Sequence, residues 1–305
     1  MESSRIWVSG SRGFIGKYLV RALQTSSDDI TCVTCRQTSD DNVIYIDCSD
    51  KRHIREIINR YGVPDVFIHL GWGSVYEPQS DVHSTSNISN SKNLISELFC
   101  AGLEKFIFLG SSSEYGDREG PLSENTEPSG KLTNYVKGKL EVASYGFEMA
   151  KLFEKVFVHL RLFYAFGAGQ HQNSLINQLY RSHLGNTSLN LSPCQHFRDY
   201  IHISDVVEGI GRISSINESA IVNLGSGRAI MLRDFIELFW NCLGGNPDLL
   251  HFGAHPKPEH EPQQPYCYAN LDTLRRLTGW TPSLSLIEGI KETLHTLSKS
   301  STSSI

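Results

Sequence analysis

Tyr135 and Lys139 stand four residues apart in N-Y-V-K-G-K, within a stretch where Val136, Leu140, Ala143, Phe147 and Ala150 recur at helical spacing. Residues i and i+4 share one face of a helix, so a phenol and an ammonium would point together. A phenol with a pKa of about 10 is a poor proton carrier at neutral pH. A neighbouring ammonium would lower that value toward the working pH, where general acid–base catalysis is most efficient. The pair is read as a proton-transfer pair. Upstream, S-S-S-E-Y-G supplies Ser111 and Ser112 as hydroxyls that could hold an oxyanion or carbonyl beside Tyr135.

Much nearer the start lies G-S-R-G-F-I-G, where Gly10, Gly13 and Gly16 follow an apolar strand and open a helix. Glycines at these places permit a tight turn and let backbone N–H groups, those of Phe14 and Ile15 included, meet a pyrophosphate at the helix N-terminus. Leu70 and Gly71, closing a later strand, are expected to border the same ligand. An acidic residue at the end of the second strand would favour NAD through the ribose 2′-hydroxyl. This chain has Cys35-Arg36 there, and Arg12 inside the loop. Two guanidinium groups suit a 2′-phosphate through charge-assisted, bidentate hydrogen bonds, so the expected cofactor is NADPH. Asp47 and Cys48 end the third strand, where the adenine edge would lie.

These groups need a scaffold, and the chain alternates short β-rich runs with helical patterns: Ile6 to Ser9, Ile30 to Cys35, Val43 to Ile46, Val66 to Leu70, Phe106 to Leu109 and Val156 to Leu162. Such alternation predicts an α/β fold, a doubly wound parallel Rossmann sheet covered by helices on both faces. The rhythm breaks after Phe163. Residues 1–163 are expected to form the cofactor-binding domain, with 200–214 returning to it, and 164–297 a smaller, mixed substrate-binding region. The tail 298–305, low in complexity, is expected to be mobile.

Composition narrows the function classes. With 39% hydrophobic and 20% charged residues in 305, the chain is an ordinary globular one. The net charge of −5 argues against a nucleic-acid footprint, and no run reaches the ~18 apolar residues of a membrane helix. The start M-E-S-S-R-I-W-V enters a strand at once, which predicts a cytoplasmic protein. Seven cysteines, an odd number, predict reduced thiols. Cys32 and Cys35 spell C-x-x-C, but odd spacing on a strand sends them to opposite faces. His251, His255 and His260 with Glu259 and Glu261 form a cluster broken by Pro256, Pro258 and Pro262, read as a solvated loop and not a metal site.

Taken in order, G-S-R-G-F-I-G, S-S-S-E-Y-G, Y-V-K-G-K, R-D-Y-I-H-I-S-D-V, N-L-G-S-G and L-T-G-W-T-P resemble the extended short-chain dehydrogenase/reductase family, the branch of nucleotide-sugar epimerases, dehydratases and ketoreductases. The resemblance implies that Tyr135 is the acid–base, that Lys139 lowers its pKa and binds the nicotinamide ribose, and that Ser111 is the catalytic hydroxyl, with Ser112 its alternative. It also implies that Asn87, Asn173 and Arg198 face the substrate, Arg198 at the nucleotide diphosphate. A second phosphate-binding arginine is not evident near Pro258 to Pro265, and Lys257 could stand in for it. A homodimer through two helices, starting near Asp81 and Thr133, is implied as well, with Leu94, Leu98, Phe147 and Met149 as candidates for its apolar face.

In the family's 4,6-dehydratases an acidic pair follows the catalytic Ser/Thr. Here Ser112 and Ser113 hold those places and Glu114 comes one residue late, so elimination lacks its acid and base. S-R-G in the glycine loop is similar to the family's reductases of 4-keto-6-deoxy nucleotide sugars. The expected function is therefore NADPH-dependent reduction of a C4 keto group. An NAD-dependent 4-epimerase and a non-catalytic NADPH-binding scaffold are the alternatives.

Overall fold

The computed structural model describes residues 4–25, 29–40, 42–256 and 266–302. Its centre is a seven-stranded parallel sheet. Strands β1 (Arg5–Ser9), β2 (Asp29–Thr34), β3 (Val43–Tyr45), β4 (Val66–His69) and β5 (Lys105–Ser111) are joined by Val156–Leu162 and Ala220–Leu224. The order runs β3-β2-β1-β4-β5, then Val156–Leu162, then Ala220–Leu224 at the edge. The chain thus reverses direction across the sheet between β1 and β4, the place where such sheets bind ligands at their carboxyl ends.

Alternation along each strand feeds two cores. Ile6 and Val8 of β1 face one side, with Leu19 of helix α1 (Phe14–Gln24) and Val206 and Ile210 of α6 (Ile203–Ser214). Trp7 faces the other, with Phe67, Phe106 and Ile54 of α2 (Lys51–Tyr61), and with Leu94 and Leu98 of α3 (Ser86–Cys100). Both faces are covered, so the strands read as nearly continuous apolar runs. A third core joins α5 (Leu175–Gly185), α7 (Leu232–Leu243) and α9 (Leu286–Thr302) around Phe166, Phe235 and Trp240.

The edge strand Ala220–Leu224 also pairs with Val156–Leu162, so the sheet takes a strand from beyond residues 200–214, the segment whose α6 packs on it. Other expectations are corrected. Leu94 and Leu98 are 1% exposed and belong to the core beneath α3, so they cannot form an outward apolar face. Phe147 and Met149, on α4 (Asn134–Phe153), are partly buried against that core. α9 runs on to Thr302, its preceding turns anchored by Leu294 and Leu297 against the third core. Finally, Cys35 is bonded to Cys48, not reduced. Parallel pairing of β2 with β3, extended by Ile46 N–H to the Thr34 carbonyl at 2.8 Å, brings the residues after both strands together, with Cα atoms 6.0 Å apart. Cys32 and the remaining described cysteines stay unbridged.

Among the described residues no helix is long and apolar enough to cross a membrane, and no group of three His, Cys, Asp or Glu could hold a metal ion. His251 bonds Asn190 and the Asp248 carbonyl, and the His255 backbone N–H reaches the Leu191 carbonyl. Lys257, Glu259, His260 and Glu261 lie outside the described residues.

Candidate active site

Ser111 ends β5, and Thr133 caps α4 by accepting from the Val136 N–H at 3.3 Å. A further anchor holds the first turn of α4: the Tyr135 N–H donates to the Pro78 carbonyl at 2.9 Å. The helix is thereby aimed across the end of β5. The Tyr135 phenol lies within reach of the Ser111 hydroxyl, which acts on it, and Lys139, one turn on, donates from Nζ to the Leu109 carbonyl of the same strand at 2.6 Å. The structure brings all three together. Ser112, the alternative hydroxyl, is buried on the 3₁₀ turn Ser112–Tyr115.

Ser111 is itself fixed. Its side chain accepts from the Ser113 N–H at 3.1 Å, and its own N–H donates to Glu114 Oε1 at 2.8 Å, a reciprocal capping box. Glu114 is fully buried against Arg161 (Nε to Oε2, 3.1 Å) and His159 (Nε2 to Oε1, 3.2 Å). Burial pushes this carboxyl up, yet His159, Arg161 and the Ser111 N–H outweigh it and hold it below the usual range. A carboxylate so engaged is occupied in structure.

The electrostatics differ from the sequence expectation that Lys139 lowers the Tyr135 pKa. Burial, reinforced by the Glu114 carboxylate, pushes the phenol well above its ordinary value, with the Ser111 hydrogen bond opposing. Lys139 is driven down to about 7 by burial. The phenol is therefore kept protonated, the state of a proton donor.

Beside this pair runs a cleft of about 510 Å³, lined by Gly10, Arg12, Gly13, Arg36, Gly71, Trp72 and Asn87 among others. Its floor is the glycine turn. Gly10 sits at φ +71°, and a Cβ there would lie 2.8 Å from the Gly71 N and 2.9 Å from the Leu70 carbonyl carbon; one on Gly16 would overlap the Gly10 carbonyl. The loop can pass this close to β4 only because these residues have no side chain. The N-cap of α1, Gly13, offers no side chain to the first-turn N–H groups. Such a donor set takes an anion, so the turn fits a nucleotide pyrophosphate. Phe14 and Ile15 turn their side chains onto the first core, leaving their backbone for that contact.

A hydrogen-bond chain ties the cleft walls. Gly71 N–H meets Ser9 Oγ at 3.3 Å, Ser9 Oγ meets His69 Nδ1 at 2.6 Å, His69 Nε2 meets Ser91 Oγ at 3.1 Å, and Ser91 Oγ donates to the Asn87 carbonyl at 2.7 Å. With the Ser91 hydroxyl given to the Asn87 carbonyl, Nε2–H donates to Ser91, and a neutral imidazole accepts the Ser9 hydroxyl proton on Nδ1. Burial first, and the Lys139 cation second, press the His69 pKa down to about 3.

Arg12 Nη1 donates to Thr38 Oγ1 at 2.7 Å, so the guanidinium leaves the glycine loop for the segment after β2, where exposed Arg36 also lies. No carboxylate is among the described residues lining the cleft. Leu70 lines it; Asp47 and Cys48 do not. Asp47 accepts from Ser49 N–H at 3.0 Å and Ser49 Oγ at 2.6 Å, which hold its carboxyl below the usual range, and Cys48 is buried in its disulfide. Arg198 is 3% exposed, its Cζ 4.8 Å from the Tyr164 ring centroid. Asn173 is exposed, its carbonyl accepting from Gln178 Nε2 at 2.7 Å.

A family model, the NAD-dependent epimerase/dehydratase family, matches residues 6–225, which span the glycine turn, the Ser111–Tyr135–Lys139 group and the last strand of the sheet. The chain belongs to that family. Relatives include an uncharacterised UDP-glucose epimerase of Bacillus subtilis (strain 168), 28% identical over 251 residues, covering 77% of this chain and 74% of that one. A dTDP-6-deoxy-L-talose 4-dehydrogenase (NAD(P)+) of Kitasatospora kifunensis is 24% identical, covering 95% and 94%. Among solved structures, a UDP-glucose 4-epimerase of Thermotoga maritima with UDP-glucose superimposes with a TM-score of 0.86 at 19% identity, covering 97% and 99%. At that identity the likeness shows the fold.

Within this family member, three residues absent from the sequence-derived site stand next to its centre. Trp72 and His83 make edge contacts with the Tyr135 ring, at 6.3 and 5.3 Å between centroids. Tyr164 interacts with Tyr135 on one side and lies under Arg198 on the other. Trp72 and His83 come from the segment after β4 and Tyr164 from the strand Tyr164–Phe166, and no local pattern encodes their meeting at Tyr135.

Proposed function

We propose that this family member is an NADPH-dependent reductase of the C4 keto group of a nucleotide-linked 4-keto-6-deoxy sugar. The observation that carries the reading is the end of β2, where Arg12 and Arg36 line the cleft and no described carboxylate does. Charge-assisted bonds from two guanidinium groups favour a 2′-phosphate over a hydroxyl. The relative named as a 4-dehydrogenase using NAD(P)+ supports oxidoreduction at this position of the sugar. When bound, the nicotinamide supplies the hydride.

The chain's own residues supply the rest. The glycine turn and the first turn of α1 would hold the pyrophosphate, with Arg12 and Arg36 on the 2′-phosphate. Tyr135, kept protonated by burial, donates the proton to the sugar's C4 oxygen, and Ser111 holds that oxygen by a hydrogen bond. Lys139 braces the phenol and the nicotinamide ribose. Arg198, buried beside Tyr164, is the group assigned to the nucleotide diphosphate, with Asn87 and Asn173 toward the sugar. Glu114, engaged by Arg161 and His159, is not free for the elimination a dehydratase performs.

A second reading, an NAD-dependent 4-epimerase, is favoured by the names of two similar proteins, the B. subtilis relative and the T. maritima structure. The two readings separate in one assay. NADPH oxidation is followed against GDP-, CDP-, UDP- and dTDP-linked 4-keto-6-deoxy sugars. The reductase consumes NADPH with at least one of them. No oxidation with any, alongside interconversion of UDP-glucose and UDP-galactose without net cofactor use, would overturn the reading in favour of the epimerase.

A further inference from the structure

Lys139 is 3% exposed, and Nζ donates its hydrogen bond to the Leu109 carbonyl at 2.6 Å. Otherwise it faces rings: the Trp72 centroid is 4.0 Å from Nζ, Phe108 4.7 Å and Tyr135 5.8 Å. The shortest of these is the indole, the aromatic face that attracts a cation most strongly. The indole is held in turn. Its Nε1–H donates to His83 Nδ1 at 2.9 Å, the two rings lying nearly parallel at 12°, and His83, fully buried, bonds through Nε2 to the Glu77 carbonyl at 3.0 Å. Asn87 clasps Gly73 beside it, giving Nδ2 to the Gly73 carbonyl at 3.1 Å and taking the Gly73 N–H on Oδ1 at 3.0 Å. The helix bearing Lys139 is pressed onto this layer. At Gly138 a Cβ would lie 3.3 Å from Trp72 Cζ2 and would overlap the His83 carbonyl.

We propose that Trp72 is a positioning residue for the Tyr135–Lys139 pair: its indole face holds the Lys139 ammonium by a cation–π contact, and His83 locks the indole in that orientation. This rests on the catalytic reading of Tyr135 and Lys139. The distance separates it from simple packing, because the charged Nζ, and not only the aliphatic stem, lies over the ring. A buried ammonium with one carbonyl partner gains stabilisation from a desolvated π face that an aliphatic side chain of similar bulk would not provide. The other titratable groups around Lys139 remain when Trp72 is changed. They are His69 on β4, neutral in its hydrogen-bond chain; Glu114 behind Ser111, paired with His159 and Arg161; Tyr135 on the same helix; and His83 beyond the indole.

The test is a direct titration of Lys139 in the full-length protein without substrate, using lysine labelled with ¹³C at Cε and NMR, with the resonance assigned by its loss in Lys139→Met. Removing the π face destabilises the cation, so Trp72→Leu lowers the Lys139 pKa by roughly 0.4–1.5, a threefold to thirtyfold change in its acid constant. Trp72→Phe, which restores a weaker face, gives a smaller drop. The alkaline-to-neutral limb of the kcat–pH profile moves by the same amount. If Trp72→Leu does not fold, Trp72→Phe alone decides, because the weaker ring must still lower the value. A Lys139 pKa unchanged within about 0.2 in the folded variants would overturn the proposal. The titration involves no substrate, so a Trp72 effect in a protein that reduces none of the 4-keto sugars would leave this inference standing and remove only the reductase.

Discussion

At the scale of single residues, the site separates a proton donor from the groups that steer it. Tyr135 lies beside Ser111 and is held protonated by burial, so Tyr135→Phe should remove turnover by about 10²–10⁴-fold. NADPH affinity should stay nearly unchanged, because the phenol does not touch the glycine turn. Steady-state rates together with fluorescence titration of NADPH check both halves; a variant keeping more than about a tenth of the wild-type rate contradicts the assignment. The two arginines make a second prediction. Changing Arg12→Ala and Arg36→Ala together should weaken NADPH by at least about tenfold, about 1.4 kcal/mol, while leaving NADH close to its wild-type affinity. Isothermal titration with both nucleotides reads this directly. The preference should also shrink as salt rises, since Arg36 is exposed and screened.

The elements carry the site through contacts between strand ends and helix starts, and the chain from Gly71 through Ser9, His69 and Ser91 to Asn87 joins β1, β4 and α3. Burial keeps His69 in this chain neutral. The folded pKa of about 3 lies below the ordinary 6.5, so between those values the unfolded chain binds more protons and stability falls as pH drops. The loss should be complete below about pH 3 and on the order of 5 kcal/mol. His69→Gln keeps a donor and an acceptor without titrating, and should flatten this limb in urea melts taken from pH 7 to pH 4; an unchanged slope would refute the role of His69. Much of this level was legible in the sequence. The apolar runs marked six of the seven strands, and N-Y-V-K-G-K declared its helix by periodicity. The strand A-I-V-N-L was hidden because it is short and ends in N-L-G-S-G, which reads as a turn. The Cys35–Cys48 pairing was hidden too, since it depends on the register of β2 against β3. Trp72 and His83 could not be found because they meet Lys139 and Tyr135 only after a loop folds across α4.

For the whole molecule, the Rossmann sheet places the glycine turn, the arginines and the Tyr135–Lys139 pair along one edge, while Arg198 and Asn173 come from the region after Phe163. The family resemblance implies association through α3 and α4, but not through Leu94 and Leu98. Leu94 and Leu98 are spent on the core, and the outward side carries Lys92 paired with Glu141 at 2.8 Å and the exposed Leu152. Light scattering should give twice the 34.2 kDa chain mass at micromolar concentration, and a monomer mass would contradict it. The central claim is net hydride delivery to a nucleotide-linked keto sugar, and NADPH deuterated at C4 of the nicotinamide tests it most directly. After reaction with the accepted 4-keto-6-deoxy sugar, mass spectrometry and NMR should find one deuterium at sugar C4 for each NADP+ formed. Product free of deuterium, with the added NADPH left unconsumed, would contradict the account.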